Sequence, residues 1–369
     1  MRNVFFIAVV VLLLAVMVRG IFGKKYKWPS RAIHIISPIA LIIAASIWWA
    51  FPAWDYPRTT GPYEAASVCC TYTDESRVEP YESDGSYRWL NLDIWYPSNY
   101  SGGENTCPIV VFSHGSFGIR ESNVSLYREL ASHGYIVCAI DHTYQCLSTT
   151  DADGKEIKMD KTYRQQILGS SDSSEESRAQ LTSLFAEWMN IRMGDIGFVL
   201  DTLIARAAAG DINDHGVYRL ADPSRIGVMG HSLGGAAALG MGRARADVRA
   251  VISLEAPFMY DVEGIRAGGF TFNSAPYPVP MLNVYTDSSW HILADRPQYA
   301  QNYAMLNDQS DMTEDVYIKG AGHMTLTDLA QSSPPLCLAI GQDLFFDVDE
   351  FARTTNQMYL DFFDRCLKE

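Results

Sequence analysis

One glycine-rich stretch, RIGVMGHSLGGAAALG at positions 225–240, constrains the fold of this chain more than any other feature. An apolar run that predicts a buried strand leads into the pentapeptide GHSLG, and a run of small residues that predicts a helix follows it. A serine on so sharp a turn needs residues without bulk two positions before and after it, and Gly230 and Gly234 meet that need. We therefore predict that Ser232 is an exposed nucleophile rather than part of a turn that only closes a strand–helix corner.

Apolar strand patterns alternate with helical patterns through the rest of the chain. Strands are predicted over 87–97, 108–115, 134–142, 225–230, 248–255, 279–286 and 314–320, and helices over 122–132, 177–208, 233–243, 297–306 and 348–367. This alternation predicts an α/β protein with a mainly parallel sheet covered by helices on both faces. With the serine turn, it indicates an α/β-hydrolase fold. We expect a polar connector over 55–87 and a catalytic domain over 88–369, with a polar excursion near 143–175.

Two long apolar segments lie in residues 1–54. Residues 3–18, together with the RGIF that follows, approach the ~20 residues that a helix needs to span a bilayer. Residues 33–51 form a second segment that ends in two tryptophans, as at a membrane interface. The loop between them, RGIFGKKYKWPSR, carries five positive charges and is expected in the cytoplasm. We predict a transmembrane helical hairpin with the catalytic domain outside the cytoplasm; a cleaved signal peptide is the alternative for the first segment.

The charge distribution disfavours one class of partner. The formal net charge of the chain is −14, and residues 1–54 hold six basic and no acidic side chains, which leaves −20 on the remainder. A domain this acidic is repelled by phosphate backbones, so we expect no nucleic-acid partner.

A serine nucleophile requires a base, and His323 is the best placed of the eight histidines. It lies in KGAGHMTLTD, directly after the last predicted strand, where this fold carries its base on a loop. His231 is the variable residue of the serine motif and is expected to point away from the reacting groups.

The acid that orients the base must lie between the serine and the histidine in this fold. Two carboxylates end predicted strands in that interval: Glu255 in ISLEAP and Asp287 in NVYTDSS. Asp287 follows the penultimate strand, whereas Glu255 closes an apolar run in which a charge must find a partner. The residues by themselves leave both open.

Main-chain N–H groups must stabilise the oxyanion of the tetrahedral intermediate. We expect one from Leu233, after the nucleophile, and one from Ser116 in the loop SHGSFG that follows strand 108–113. The seven cysteines show no metal-ligand spacing, and chemistry of this kind requires neither a metal ion nor an organic cofactor.

Three blocks of residues 88–330 resemble one family in particular. The segments PIVVFSHGSFGIRESNVSLYRELASHGYIVCAIDH, IGVMGHSLGG and IKGAGHMTLTD are similar to those of the plasma and intracellular type II platelet-activating factor acetylhydrolases. The resemblance implies a Ca²⁺-independent serine esterase that removes short or oxidised acyl groups from phospholipids. In that family the acid ends the strand after the nucleophile helix, in a segment like ALDAW. This maps the role onto Glu255 of SLEAP, with glutamate in place of aspartate.

Together these features predict a membrane-anchored serine esterase that acts through an acyl-enzyme on a lipid or other amphipathic ester. One alternative is a polyester hydrolase, cutinase-like enzyme or general carboxylesterase. An alternative of another class is a catalytically silent binding protein anchored in the membrane. The bacterial polyester hydrolases and dienelactone-hydrolase-like proteins share the serine turn with this chain but are less similar in the other blocks.

Overall fold

A computed structural model describes residues 2–22, 28–151, 153–170, 174–306, 312–339 and 347–369. The helices are α1 (Arg2–Phe22), α2 (Trp28–Ala50), α3 (Val124–Ser132), α4 (Lys161–Gly169), α5 (Glu175–Ala208), α6 (Val217–Leu220), α7 (Leu233–Ala244), α8 (Asp287–Trp290), α9 (Ala300–Met305), α10 (Leu329–Ser332), α11 (Pro334–Ala339) and α12 (Val348–Leu367). The strands are β1 (Ala65–Val78), β2 (Tyr87–Pro97), β3 (Cys107–Ser113), β4 (Ile136–Asp141), β5 (Ser148–Thr150), β6 (Glu156–Lys158), β7 (Ala221–His231), β8 (Val248–Leu254), β9 (Val262–Arg266), β10 (Gly269–Phe272), β11 (Met281–Thr286) and β12 (Thr313–Ile318).

Eight strands form the central sheet in the order β1-β2-β4-β3-β7-β8-β11-β12. β1 and β2 pair in antiparallel fashion, as do β2 and β4, whereas each pairing from β4 to β12 is parallel. Because the parallel strands all run in the same direction, their carboxyl ends meet at one edge of the sheet. Ser232, Glu255 and His323 each follow one of these strands, which brings the segments that carry them to the same edge.

Helices cover both faces of the sheet, and alternate strand residues face one layer or the other. On β3, Ile109 and Val111 pack into the core on the α5 and α7 side, while Val110 and Phe112 pack into the core on the α3 and α12 side. All four side chains are fully buried. A strand buried on both faces reads as a continuous apolar run, which explains why PIVVF gave so clear a strand prediction.

The predicted alternation of strands and helices is confirmed, and the structure adds a strand where only a connector was expected. β1 lies within 55–87 and extends the sheet beyond β2. No strand pattern is recognisable there because one face of this edge strand is exposed and its last residues, TDESRV, are mostly polar. The excursion 143–175 holds the β5–β6 hairpin and α4, and β9 and β10 form a further hairpin that was not predicted.

The two N-terminal helices pack against each other and hardly against the domain. Phe6 stacks on Trp49 with 4.9 Å between ring centroids, and Phe5 meets Trp48 edge-on at 5.9 Å. Their apolar windows have mean hydropathies of 2.8 and 1.9, and only 6 % of each window is buried. Both helices are therefore long and apolar enough to cross a membrane. Residues 23–27 of the predicted basic loop lie outside the described residues.

The end of α2 contacts the α/β domain near the segment that carries His323. The Ser333 hydroxyl, between α10 and α11, donates a hydrogen bond of 2.7 Å to the carbonyl of Ala50. The chain then runs along α3, where the N–H of Thr60 donates to a carboxylate oxygen of Glu129 at 3.1 Å. The domain is therefore held close to the end of the apolar hairpin by direct contacts as well as by chain connectivity.

Candidate active site

Ser232 lies on a strained turn between β7 and α7. Its φ is 54° and its ψ is −122°, a conformation that residues other than glycine rarely adopt, and its N–H donates to the Leu254 carbonyl at 2.8 Å. The turn is closely packed: a Cβ on Gly234 would overlap the Ser113 carbonyl, and one on Gly230 would overlap the main chain of Gly234. Gly234 therefore allows β3 to approach the turn closely, and Gly230 allows the first residues of α7 to fold back onto the end of β7.

Glu255 and His323 form a hydrogen-bonded pair in the site. His323 Nδ1 lies 2.9 Å from one oxygen of Glu255, whose side chain is almost completely buried. The other oxygen of Glu255 accepts hydrogen bonds from the Thr286 N–H at 3.1 Å, the Thr286 hydroxyl at 2.5 Å and the Ser289 hydroxyl at 2.5 Å. Glu255 itself has a φ of 54°, so both Ser232 and Glu255 adopt strained backbone conformations at the carboxyl ends of neighbouring strands.

These hydrogen bonds keep the Glu255 carboxylate ionised. Burial alone would raise its pKa, but the hydrogen bond and charge of His323, with the hydroxyls of Ser289 and Thr286, hold the pKa well below its usual value. An ionised carboxylate at Nδ1 selects the imidazole tautomer whose Nε2 is free to accept a proton, and it stabilises the imidazolium that results. Glu255 therefore has the geometry and charge that the acid of such a site requires.

Asp287, the other candidate acid, lies on the surface at the start of α8. Its oxygens accept hydrogen bonds from the Tyr317 hydroxyl and from the Gly320 N–H, the latter at 2.9 Å, and its nearest imidazole is that of His291 at 3.8 Å. The structure thus brings Glu255, and not Asp287, to His323. β11, the penultimate strand, does end near His323. The Asp287 that follows it bonds instead to Tyr317 and to the main chain of Gly320.

His231 contacts the base, contrary to the expectation that it points away. Its Nε2 lies 2.9 Å from the main-chain carbonyl of His323, and the two ring centroids are 4.4 Å apart. Burial, together with the charge of His323, lowers the pKa of His231, so the ring is neutral and Nε2–H donates to that carbonyl. The ring also packs against Gly115, where a Cβ would lie 2.9 Å from Nδ1. His231 therefore links the loop of the base to the loop after β3.

A cavity of about 340 Å³ brings the predicted groups together. Ser232, His323, Ser116 and Leu233 all line it, and Leu233 begins α7, whose first N–H groups have no partner within the helix. The apolar part of the lining consists of Phe117, Ile167, Phe185, Trp188, Pro257, Met259 and Met324. The cavity can therefore hold an ester carbonyl near the serine with its hydrocarbon part against aromatic and thioether side chains. The described residues include no cluster of three or more side chains suited to a metal ion.

A buried polar cluster supports the loop that follows β3. His142 Nδ1 lies 2.8 Å from Asp195, its Nε2 lies 2.8 Å from the Ser113 hydroxyl, and Arg192 donates to the His114 carbonyl at 2.8 Å. These side chains are fully buried, so Ser113 cannot act as a nucleophile although its partners resemble a triad. This cluster was not predicted from the sequence; its signal was the pair Arg192 and Asp195, three positions apart in a largely apolar part of α5.

A family model described as "Platelet-activating factor acetylhydrolase, isoform II" matches residues 87–367. The chain belongs to this family. The acetylhydrolase match begins at β2 and ends at the last residue of α12, so it includes the serine turn, both candidate acids and the histidine. The resemblance inferred from the sequence blocks is thereby confirmed, and the family name places the chain among hydrolases.

More distantly similar proteins agree with this family assignment. A "Probable 1-alkyl-2-acetylglycerophosphocholine esterase" of Arthroderma benhamiae is 25 % identical over 203 residues, which are 54 % of this chain but only 44 % of that protein. A ferulic acid esterase from Streptomyces cinnamoneus superposes with a TM-score of 0.61 at 23 % identity, covering 85 % of this chain and 93 % of that one. A dienelactone hydrolase-like promiscuous phosphotriesterase from metagenomic libraries gives 0.51 at 17 % identity, covering 82 % and 99 %. The structural likeness confirms the α/β-hydrolase fold.

Substitution of each candidate acid by its amide should separate their roles. For Glu255→Gln we expect kcat to fall by about 1,000- to 10,000-fold, because the amide no longer selects the reactive tautomer of His323 or stabilises its cation. For Asp287→Asn we expect kcat within about twofold of wild type, because Asp287 contacts Tyr317 and Gly320 instead. Steady-state kinetics on a p-nitrophenyl ester measures both; a kcat loss confined to Asp287→Asn would overturn the assignment of Glu255.

The buried His142 predicts how stability depends on pH. Burial and the positive charge of Arg192 lower the pKa of His142 to about 3, although Asp195 opposes this shift. Between pH 6.5 and about 3 the unfolded chain therefore binds a proton that the folded chain excludes. This contribution to stability is complete above pH 6.5 and falls by about 1.4 kcal/mol for each pH unit below it.

The variant His142→Gln should remove that part of the pH dependence. Urea unfolding of the detergent-solubilised chain, followed by tryptophan fluorescence from pH 7 to pH 4.5, should give a slope shallower by about 1.4 kcal/mol per pH unit than that of wild type. Ser113→Ala is the matched control, because it removes a partner of the ring and leaves the ring titratable. It should lower the free energy of unfolding at every pH without changing the slope. Equal slopes for His142→Gln and wild type would contradict a neutral buried ring.

Proposed function

We propose that this chain is a serine esterase that hydrolyses acyl esters through an acyl-enzyme. The observation that carries the proposal is the buried, hydrogen-bonded Glu255 bound to Nδ1 of His323 beside a cavity that the strained Ser232 also lines. The family name and the name of the fungal relative, both of which refer to removal of acetyl groups, support the same class of reaction.

In the proposed reaction, His323 Nε2 accepts the hydroxyl proton while the Ser232 oxygen attacks the ester carbonyl. The carbonyl oxygen becomes an oxyanion, which the main-chain N–H groups of Ser116 and Leu233 stabilise. His323 then gives its proton to the departing alcohol, which leaves an acyl group on Ser232. A water molecule deprotonated by the same imidazole releases the acid and restores the serine, while Glu255 stays ionised throughout.

A short-acyl or oxidised-acyl phospholipid is the substrate class we propose. The cavity volume of about 340 Å³ lies near the lower end of the range of roughly 300–1,000 Å³ that is usual for small-molecule sites, and its lining is mainly apolar. The fungal relative is named for an ester whose acyl group is acetyl. Polyester fragments and soluble carboxylic esters are the competing substrates, and a comparison of rates distinguishes them.

We further propose that α1 and α2 anchor the enzyme in a membrane. Both are apolar and exposed along their lengths, and the hydrogen bond from Ser333 to Ala50 joins the end of α2 to the segment that follows Thr327 in the cavity lining. Since Ser333 lies only six positions after Thr327, the site would lie close to the lipid surface. The five positive charges of the loop predict that the loop is cytoplasmic and the domain is not.

The variant Ser232→Ala tests the esterase proposal. We expect wild type to react with a fluorophosphonate probe and to hydrolyse 2-acetyl phospholipids faster than long-acyl phospholipids or soluble polyester fragments. Ser232→Ala should not react with the probe, and its kcat/KM should fall by about 10,000-fold or more, because no other hydroxyl replaces the nucleophile.

Ser224→Ala is the control and should behave as wild type, because it changes an exposed serine on β7, the strand that leads into the serine turn. Probe labelling of Ser232→Ala at the wild-type rate would disprove the nucleophile. Inactivity of the wild-type chain towards every ester would favour the catalytically silent binding protein. Faster hydrolysis of soluble polyester fragments than of 2-acetyl phospholipids would assign the enzyme to another substrate class.

Protease accessibility tests the proposed membrane topology. In intact cells or spheroplasts, added protease should digest the catalytic domain, and the chain should stay in the membrane fraction after alkaline carbonate extraction. A chain that lacks residues 2–50 should not be retained by the membrane. Digestion only after lysis would place the domain in the cytoplasm, and release of the full chain by carbonate would contradict the anchor.

A further inference from the structure

A second cavity adjoins the catalytic cavity at one shared residue. Its volume is about 510 Å³, and it lies between α5, α7 and the segment that follows β8. Among the described residues, Met259 is the one that lines both cavities. α5 also passes along both, since Phe185 and Trp188 face the catalytic cavity while Met189 and Met193 face the second. The two cavities are thus neighbours along one helix.

The second cavity suits hydrocarbon rather than a charged group. Met189, Met193 and Met241 line it together with Met259, and thioether side chains adapt to flexible apolar ligands. The guanidinium at its rim, that of Arg245, is already bound to two carboxylates, at 2.8 Å and 2.6 Å. A phosphate or carboxylate would therefore have to displace an existing ion pair, whereas an alkyl chain would not.

The main chain on either side of Met259 is held in place. The carbonyl of Ala256 accepts a hydrogen bond of 2.9 Å from the Asn302 amide, and the Phe258 ring is buried in the core. The N–H of Met259 donates to the Pro257 carbonyl at 2.9 Å. Met259 therefore lies at the boundary of the two cavities, on a main chain that these hydrogen bonds hold in place.

We propose that Met259 is the specificity-determining residue that ends the acyl-binding site and so limits the length of the acyl group. This inference rests on the proposed function, since it concerns the chain of an ester attacked by Ser232. With methionine at this position, an acyl chain that extends from the ester carbonyl stops at the thioether. With a smaller residue, the chain would continue into the second cavity, and the space available to it would more than double.

The test compares acyl-length profiles of the full chain in detergent. We would measure kcat/KM for p-nitrophenyl esters from acetate to decanoate, at monomeric substrate concentrations, for wild type and Met259→Ala. In Met259→Ala we expect the decanoate-to-butyrate ratio of kcat/KM to rise at least about tenfold, because each additional buried methylene contributes roughly a fourfold gain. Inactivation by fluorophosphonates with short and long alkyl chains should show the same shift without the deacylation step.

Two further variants make the result specific. Met259→Ala/Met193→Phe fills the second cavity and should return the profile towards that of wild type. Met358→Ala, which truncates a partly buried methionine against the core on the opposite face of the sheet, should leave the profile unchanged. Melting temperatures identify variants that do not fold. If Met259→Ala is among them, Met259→Phe replaces it, and that variant should disfavour butyrate and longer esters relative to acetate.

A wild-type profile in a folded, active Met259 variant would overturn the inference, as would an equal shift in Met358→Ala. These outcomes differ from failure of the proposed function. If wild type hydrolysed no ester, or if Ser232→Ala kept the activity, the serine esterase itself would be disproved, whatever the cavities show.

Discussion

The close approach of α7 to the end of β3 is the contact on which the site depends. Gly234 lies against the Ser113 carbonyl so tightly that no side chain fits between them, and this brings the loop that contains Ser116 to the serine. The same packing holds Ser232 at a φ of 54°, a conformation that costs roughly 1–3 kcal/mol and persists only because its surroundings impose it. One backbone contact therefore positions both the proposed nucleophile, Ser232, and the loop that carries the proposed oxyanion donor, Ser116.

Around this contact, one buried ionisable group is held in its charged form and others in their neutral form. Glu255 must stay charged in a buried position, and its hydrogen bond with His323, together with three hydrogen bonds to its second oxygen, holds it ionised. His231 and His142 must stay neutral, and burial is the largest cause of their lowered pKa values. His323, the proposed base, is partly exposed to the cavity, where it could exchange protons with substrate and water.

The apolar wall of the cavity connects this chemistry to the proposed substrate. An ester carbonyl at Ser232 would place its acyl chain along Phe185 and Trp188 of α5, with Met259 at the far end. The α2 contact at Ser333 would place the opening near a lipid surface. Packing around the cavity would then limit the length of the acyl group, while the membrane hairpin would determine which esters the site encounters.

The sequence alone identified the serine turn and the histidine after the last strand, because both follow from local steric needs and from the order of strands and helices. It also identified the parallel core, since strands buried on both faces are continuous apolar runs. It did not distinguish Glu255 from Asp287 as the acid, because each follows a strand whose carboxyl end lies at the same edge of the sheet. It missed β1 and the contacts of His231 and Arg192. Only the tertiary structure decided these, since side-chain direction at strand ends and pairing between distant segments depend on packing that no local pattern records.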